Sequence, residues 1–176
     1  MGADEEITSL LASGRRTEAF EALLTAYQDK VFRLCYSMLG DRAQAEDAAQ
    51  ESFLRIWKSM ERYRGDAALG TWIFSVTRNV SLTAISRRAA RRSAPIEEAE
   101  RAAPQAPSKE RDMMRLVAQL PENYRAVVML FYMEERSYEE VARMLALPVG
   151  TVKTHLHRAR QQLANMVKEA DSVRRT

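Results

Sequence analysis

A chain of 176 residues, 46% of them hydrophobic, is long enough for one packed domain or two small ones, and its few Gly (6) and Pro (5) favour an all-α protein. The net charge is only +3, but acidic and basic residues are unevenly distributed, which points to one acidic and one basic partner surface. A single cysteine, Cys35, excludes an internal disulfide or a cysteine metal cluster, and no apolar run reaches the roughly 20 residues of a membrane span.

The N-terminal stretch MGADEEITSLLASG is acidic where a signal peptide is basic, and Glu6 stands where a myristoylation signal needs Ser or Thr. A soluble, cytoplasmic protein is expected, with Cys35 packed in a core in a reducing compartment. A short helix near Glu5–Ala12 precedes a core helix over Thr17–Leu39, where Phe20, Leu23, Leu24, Tyr27, Val31, Leu34, Cys35 and Met38 recur at helical spacing. Gly40 stops that helix and Asp41 caps the next, which runs to about Met60.

In this third helix Ala45, Ala48, Ala49, Phe53, Ile56 and Trp57 form the buried side, while Asp47, Gln50, Glu51 and Leu54 share the other. Acids near a helix start are favoured by the helix dipole alone. An exposed leucine beside Gln50 and Glu51 fits a protein interface better than plain solvent. Next comes a loop, ERYRGDAALG, and then a helix from about Thr71 to Arg92 with Ile73, Val76 and Val80 inward. No acid occurs between Ala67 and Ile96, whereas Arg78, Arg87, Arg88, Arg91 and Arg92 are basic, with Tyr63, Trp72 and Phe74 interleaved. Aromatics among cations suit the stacking of unpaired bases and the tracking of their phosphates. Core packing of Trp72 or Phe74, and an arginine run complementing the helix dipole, account for part of the same pattern.

The segment SAPIEEAERAAPQAPSK, with three prolines and a cluster of acids, reads as a flexible linker. Beyond it, Met113, Leu116, Val117 and Leu120 mark a helix ended by Pro121, and Tyr124–Tyr132 marks another. Ser137 and Glu140 form a capping box ahead of a short helix with Val141, Ala142 and Leu145 on one face. A break at Ala146–Pro148 leads into a longer helix whose Val152, Leu156, Ala159 and Leu163 stack as a buried stripe. Its other side carries Gly150, Thr151, Thr154, His157, Arg158 and Gln161, with Lys153, His155 and Arg160 on the flanks. A solvated basic face gives such a charge pattern too; the short capped helix, tight turn and cationic longer helix are what a major-groove helix-turn-helix requires. His155 and His157, two residues apart, point to different sides, so no metal site is expected there.

Taken together, the acidic "AEDAAQESFLRIW" helix, the "YRGDAALGTWIFSVTRNV" loop and helix, the proline-containing linker and "LPENYRAVVMLFYMEERSYEEVARMLALPVGTVKTHLHRAR" resemble the extracytoplasmic-function (ECF) sigma factors of the bacterial sigma-70 family. The resemblance implies two small helical domains: sigma region 2 over residues 1–93, a linker at 94–109, region 4 over 110–170, and a frayed tail at 171–176. It implies a promoter-specificity subunit that binds core RNA polymerase and promoter DNA and supports duplex opening, without cofactor, metal or catalytic residue, and under control of an anti-sigma factor.

Residue by residue, Asp47, Gln50, Glu51 and Leu54 match the segment that docks on the clamp helices of the largest polymerase subunit, and region 4 is expected at the flap of the second-largest. Tyr63, Arg64, Gly65, Asp66, Ala67, Trp72, Arg78, Asn79, Arg87 and Arg88 fall in the part that captures the minus-ten strand. Thr151, Lys153, Thr154, His155, His157 and Arg158 fall in the minus-thirty-five reader. Ala146 replaces a glycine frequent in such turns, and a turn that avoids the left-handed conformation is expected there. The principal alternative is a helix-turn-helix regulator that acts without polymerase. A sigma mimic that only sequesters an anti-sigma protein has no need of Arg78 and Asn79. An enzyme is disfavoured because the sequence offers no carboxylate cluster, nucleophile–base pair or phosphate-binding glycine loop.

Overall fold

The computed structural model describes residues 2–92 and 115–174, all helix and connecting turns. Helix α1 spans Ala3–Ala12, α2 Arg16–Leu39, α3 Arg42–Ser59 with a 3-10 turn at Met60–Arg62, and α4 Leu69–Arg92. Residues 115–118 are helical (α5) and are followed by α6 (Glu122–Val128), a π-helical segment (Met129–Met133), α7 (Tyr138–Leu145) and α8 (Val149–Arg174). The expected linker at 94–109 lies outside the described residues.

Helix ends follow the local chemistry. Gly40 sits at φ 69°, the left-handed region open to glycine, and donates its amide to Tyr36. Asp41 Oδ1 accepts the amide of Gln44 at 2.8 Å to start α3. The box of Ser137 and Glu140 is complete in both directions, at 3.2 and 2.9 Å. Helix α8 runs through the tail expected to fray as far as Arg174, because neither Gly nor Pro interrupts it after Leu163.

The turn at Ala146 corrects the expectation made for it. Ala146 is left-handed, with φ 50° and ψ 47°, and its amide reaches back to Arg143 while Leu147 bonds Ala142. The tight reversal into α8 requires this conformation, and alanine bears its cost. A second departure lies in the helix expected over Tyr124–Tyr132, which changes to π-helical hydrogen bonding at Met129. One extra residue per turn rotates Tyr132 and Met133 outward, to 46% and 45% exposure.

In the N-terminal half, α2 packs on α1, α3 and α4 around Leu23, Tyr27, Val31, Leu34, Ile56, Ile73 and Phe74, all essentially inaccessible. Tyr27 donates its hydroxyl to Asp4 at 2.6 Å and meets Phe74 edge-on, tying α1, α2 and α4 at one point. Buried hydroxyls at Ser52, Thr77 and Ser81 donate to the carbonyl one turn back in their own helices, so they enter the core without unsatisfied groups. Ser81 also reaches Cys35 at 3.7 Å, and burial raises the Cys35 thiol to about 11, which keeps it protonated and inert.

The C-terminal half packs α6 and α7 on α8 through Val127, Leu130, Val141, Val152, Leu156 and Ala159. The two halves also touch: α6 lies against α2, and α7 against α4.

Candidate nucleic-acid and polymerase interfaces

The acidic face of α3 is formed as its sequence pattern implies. Asp47, Gln50 and Glu51 are exposed, and Leu54 is 54% exposed among them. Glu51 accepts from Arg55 Nε at 2.8 Å, and this bond, followed by the charges of Arg55, Lys58 and Arg87, holds its carboxyl below the usual range. Helix α4 runs alongside, and Asp47 and Glu51 face Arg87, Arg88 and Arg91 across a groove of about 610 Å³.

That arrangement places Arg87 and Arg88 at the far end of α4 from Trp72. They lie more than four helical turns beyond Trp72, roughly 22 Å along α4 at the rise of an α-helix. Arg88 donates to the Leu39 carbonyl at 3.2 Å and pairs with Glu122 at 3.7 Å, so it is occupied within the protein.

The remaining members gather at the start of α4. The Tyr63 hydroxyl donates to the Ala67 carbonyl at 2.7 Å, closing the loop, and its ring lies 5.2 Å from that of Trp72. Arg64, Gly65 and Asp66 stand exposed at the tip, with Gly65 at φ 79°, a conformation that glycine adopts without strain. Trp72 is half-buried whereas Phe74 is fully buried, so only Trp72 keeps ring surface open to solvent. Asn79 is exposed one position on from Arg78, whose guanidinium donates to its side-chain oxygen at 3.1 Å and leaves the amide hydrogens available. A polar recess of about 400 Å³ adjoins the loop between Tyr63, Arg64, Gly65 and the α1–α2 turn.

On α8, Lys153, Thr154, His157 and Arg158 are exposed and Thr151 is half-buried, all opposite the buried Val152–Leu156–Ala159 stripe. Lys153 Nζ lies 5.5 Å from the Tyr138 ring centre, and the Thr154 hydroxyl donates to Gly150 within its own helix. His155 departs from the set: its ring leans on Tyr124 at 5.2 Å. Burial, then the Arg158 charge, lower its pKa from 6.5, with the Asn123 backbone opposing.

One surface escaped the sequence reading. Val117, Val128, Met129, Tyr132, Met133 and Leu163 line an apolar groove of about 410 Å³ with Arg160 at its rim, bonded to the Tyr132 hydroxyl. The π-helical segment opens it, and no periodicity in the sequence announces such a segment.

Among the described residues no helix is long and apolar enough to cross a membrane, and no cluster of His, Cys, Asp and Glu is arranged to hold a metal. Sequence comparison divides the chain into two segments. Residues 23–91 match the model of Sigma-70 region 2, and residues 110–163 that of Sigma-70, region 4. The chain is 29% identical over 169 residues to the ECF RNA polymerase sigma factor SigW of Bacillus subtilis (strain 168), covering 86% of this chain and 90% of that protein. It is 31% identical over 170 residues to the ECF RNA polymerase sigma-E factor of Escherichia coli (strain K12), covering 86% and 87%. In fold it resembles the sigma factor RpoE solved with the anti-sigma factor NepR from Bartonella quintana, with TM-score 0.73 at 21% identity over 85% of this chain and 96% of that one. Two sigma regions in order, with 31% identity over 87% of such a relative, make the chain a member of the ECF sigma factors of the sigma-70 family, which are non-catalytic subunits of RNA polymerase.

Proposed function

We propose that this sigma factor reads a promoter at two separated places and touches polymerase at two others. Helix α8 enters the major groove at the minus-thirty-five element, with Lys153, Thr154, His157 and Arg158 contacting bases and phosphates. Arg64, Gly65, Asp66 and Ala67, backed by Trp72, Arg78 and Asn79, hold the unpaired minus-ten strand. The observation that carries this reading is the pairing of an exposed cationic helix-turn-helix face with a pinned, exposed loop beside a half-buried tryptophan. Stacking a base on an aromatic ring contributes about 1–3 kcal/mol, enough to retain one flipped base but not to melt a duplex. Core polymerase supplies the rest.

Asp47, Gln50, Glu51 and Leu54 dock on the clamp helices of the largest subunit, where opposite charge sets the register. The apolar groove at Tyr132 and Met133 takes the flap of the second-largest. An anti-sigma factor regulates the chain, a reading supported by the fold shared with a sigma factor solved in complex with one. The site of action is the cytoplasm.

Selection of promoters from a randomised duplex library, using host core polymerase with this chain, tests the division of labour. Two enriched blocks are expected. Replacing Lys153 and Arg158 with Ala erases the upstream block alone, and replacing Trp72 and Asn79 erases the downstream block alone. Loss of both blocks with either pair, at normal core affinity, contradicts the assignment.

A further inference from the structure

The π-helical segment opens the apolar groove and also decides which methionine meets solvent. Of the nine methionines in the sequence, Met1, Met113 and Met114 fall outside the described residues. Met38, Met60, Met129 and Met144 are at most 6% exposed, and Met166 is half-buried. Met133 is 45% exposed, where the wider turn rotates it outward. Met129, on the same segment, lines the same groove yet is 1% exposed.

A thioether is oxidised to a sulfoxide according to its exposure, and the product can be reduced again. The chain's one thiol does not compete for oxidant, because Cys35 is fully buried and held protonated. In the step itself the Met133 sulfur gives an electron pair to the outer oxygen of a peroxide. A sulfur–oxygen bond forms, the oxygen–oxygen bond breaks, and the displaced oxygen leaves with both protons as water. The sulfur loses two electrons and the peroxide gains them.

The groove is a poor host for the new oxygen. Val117, Val128, Met129 and Leu163 offer it no side-chain donor, and the polar groups of the lining, the Arg160 guanidinium and the Tyr132 hydroxyl, are bonded to each other. Pressed against an apolar partner segment, a polar sulfoxide loses its water and gains no equivalent bond. We infer that Met133 is a reversible oxidation site for peroxides on the free chain, and that its sulfoxide closes the groove to the apolar segment of core polymerase that docks there. The second half of this inference rests on the groove reading above; the selective oxidation of Met133 does not. A docked partner covers Met133, so the free chain is the form that peroxide reaches.

Treatment of the free chain with hydrogen peroxide, followed by peptide mass spectrometry and by titration with core polymerase, tests it. Met133 is expected to gain oxygen ahead of Met129, Met144 and Met166, and core affinity to fall about fivefold or more. The two methionine sulfoxide reductases, one for each sulfoxide epimer, restore both with dithiothreitol as reductant. Met133→Leu, compared with its own untreated form, keeps its affinity through the same treatment, and core polymerase bound beforehand shields Met133. Oxidation of Met133 no faster than that of the buried methionines overturns the inference, as does an affinity loss that persists in Met133→Leu. If the sulfoxide leaves core affinity unchanged while Met133→Asp lowers it, the oxidation inference alone falls. If neither change alters affinity, the groove reading falls and takes the regulatory half with it.

Discussion

The His155 imidazole is tilted 59° against the Tyr124 ring, 5.2 Å away, and so faces α6 rather than the open side of the recognition helix. Burial and the neighbouring Arg158 charge favour its neutral form, and its pKa falls below the ordinary 6.5. Because the folded value is depressed, the unfolded chain binds the proton more readily. The stability this residue contributes is therefore present above about pH 6.5 and is lost as pH falls through the folded value. A proton NMR titration is expected to give a His155 midpoint below 6.5, and the acid-side loss of thermal stability is expected to shrink in His155→Phe. A His155 midpoint at or above 6.5 contradicts the placement.

Ala146 carries a left-handed backbone in the turn of the helix-turn-helix. Ala146→Gly relieves roughly 1 kcal/mol of that cost, less some entropy lost by glycine. The expected outcome is a Tm raised by about 2 °C, near the low end for a chain of this size. A Tm lowered by calorimetry removes the strain argument.

Trp72 and Phe74 are close in sequence but differ in burial. Phe74→Ala empties a fully buried site and destabilises the fold by about 3–5 kcal/mol in chemical denaturation. Trp72→Ala is expected to cost much less stability, yet to weaken binding of holoenzyme to pre-opened promoter by about tenfold or more. Equal stability losses at the two positions, with strand affinity unchanged, place Trp72 in the core instead.

Met133 is 45% exposed at the apolar groove, so Met133→Asp leaves the fold within about 0.5 kcal/mol of the parent. Core polymerase affinity, read by titration, is expected to fall about fivefold or more if the groove takes an apolar partner segment. Affinity equal to the parent's removes the groove from the interface.

Much of this architecture was legible in the sequence because it rests on local rules. Gly40, Asp41 and the Ser137–Glu140 box set helix ends, and the stripe of Val152, Leu156 and Ala159 turned the cationic side of α8 outward. What escaped has no local signature. The buried hydroxyls of Ser52, Thr77 and Ser81 sit at core positions that a count of apolar residues passes over, since each donates its hydrogen within its own helix. The π-helical segment looks like ordinary helix in composition. Arg33 and Glu134 are paired across the two halves, and nothing in either neighbourhood names the other. That Arg87 and Arg88 face Asp47 and Glu51 across a groove depends on how α3 and α4 pack, which neither helix's own sequence states.

Run-off transcription with host core polymerase, with and without this chain, on templates recovered from the promoter library bears most directly on the central claim. Transcripts from discrete start sites are expected only when both core and this chain are present, and they are expected to disappear when Lys153 and Arg158 are replaced together. Sequence-specific duplex binding by the chain alone, with no gain in promoter-dependent transcripts, contradicts it.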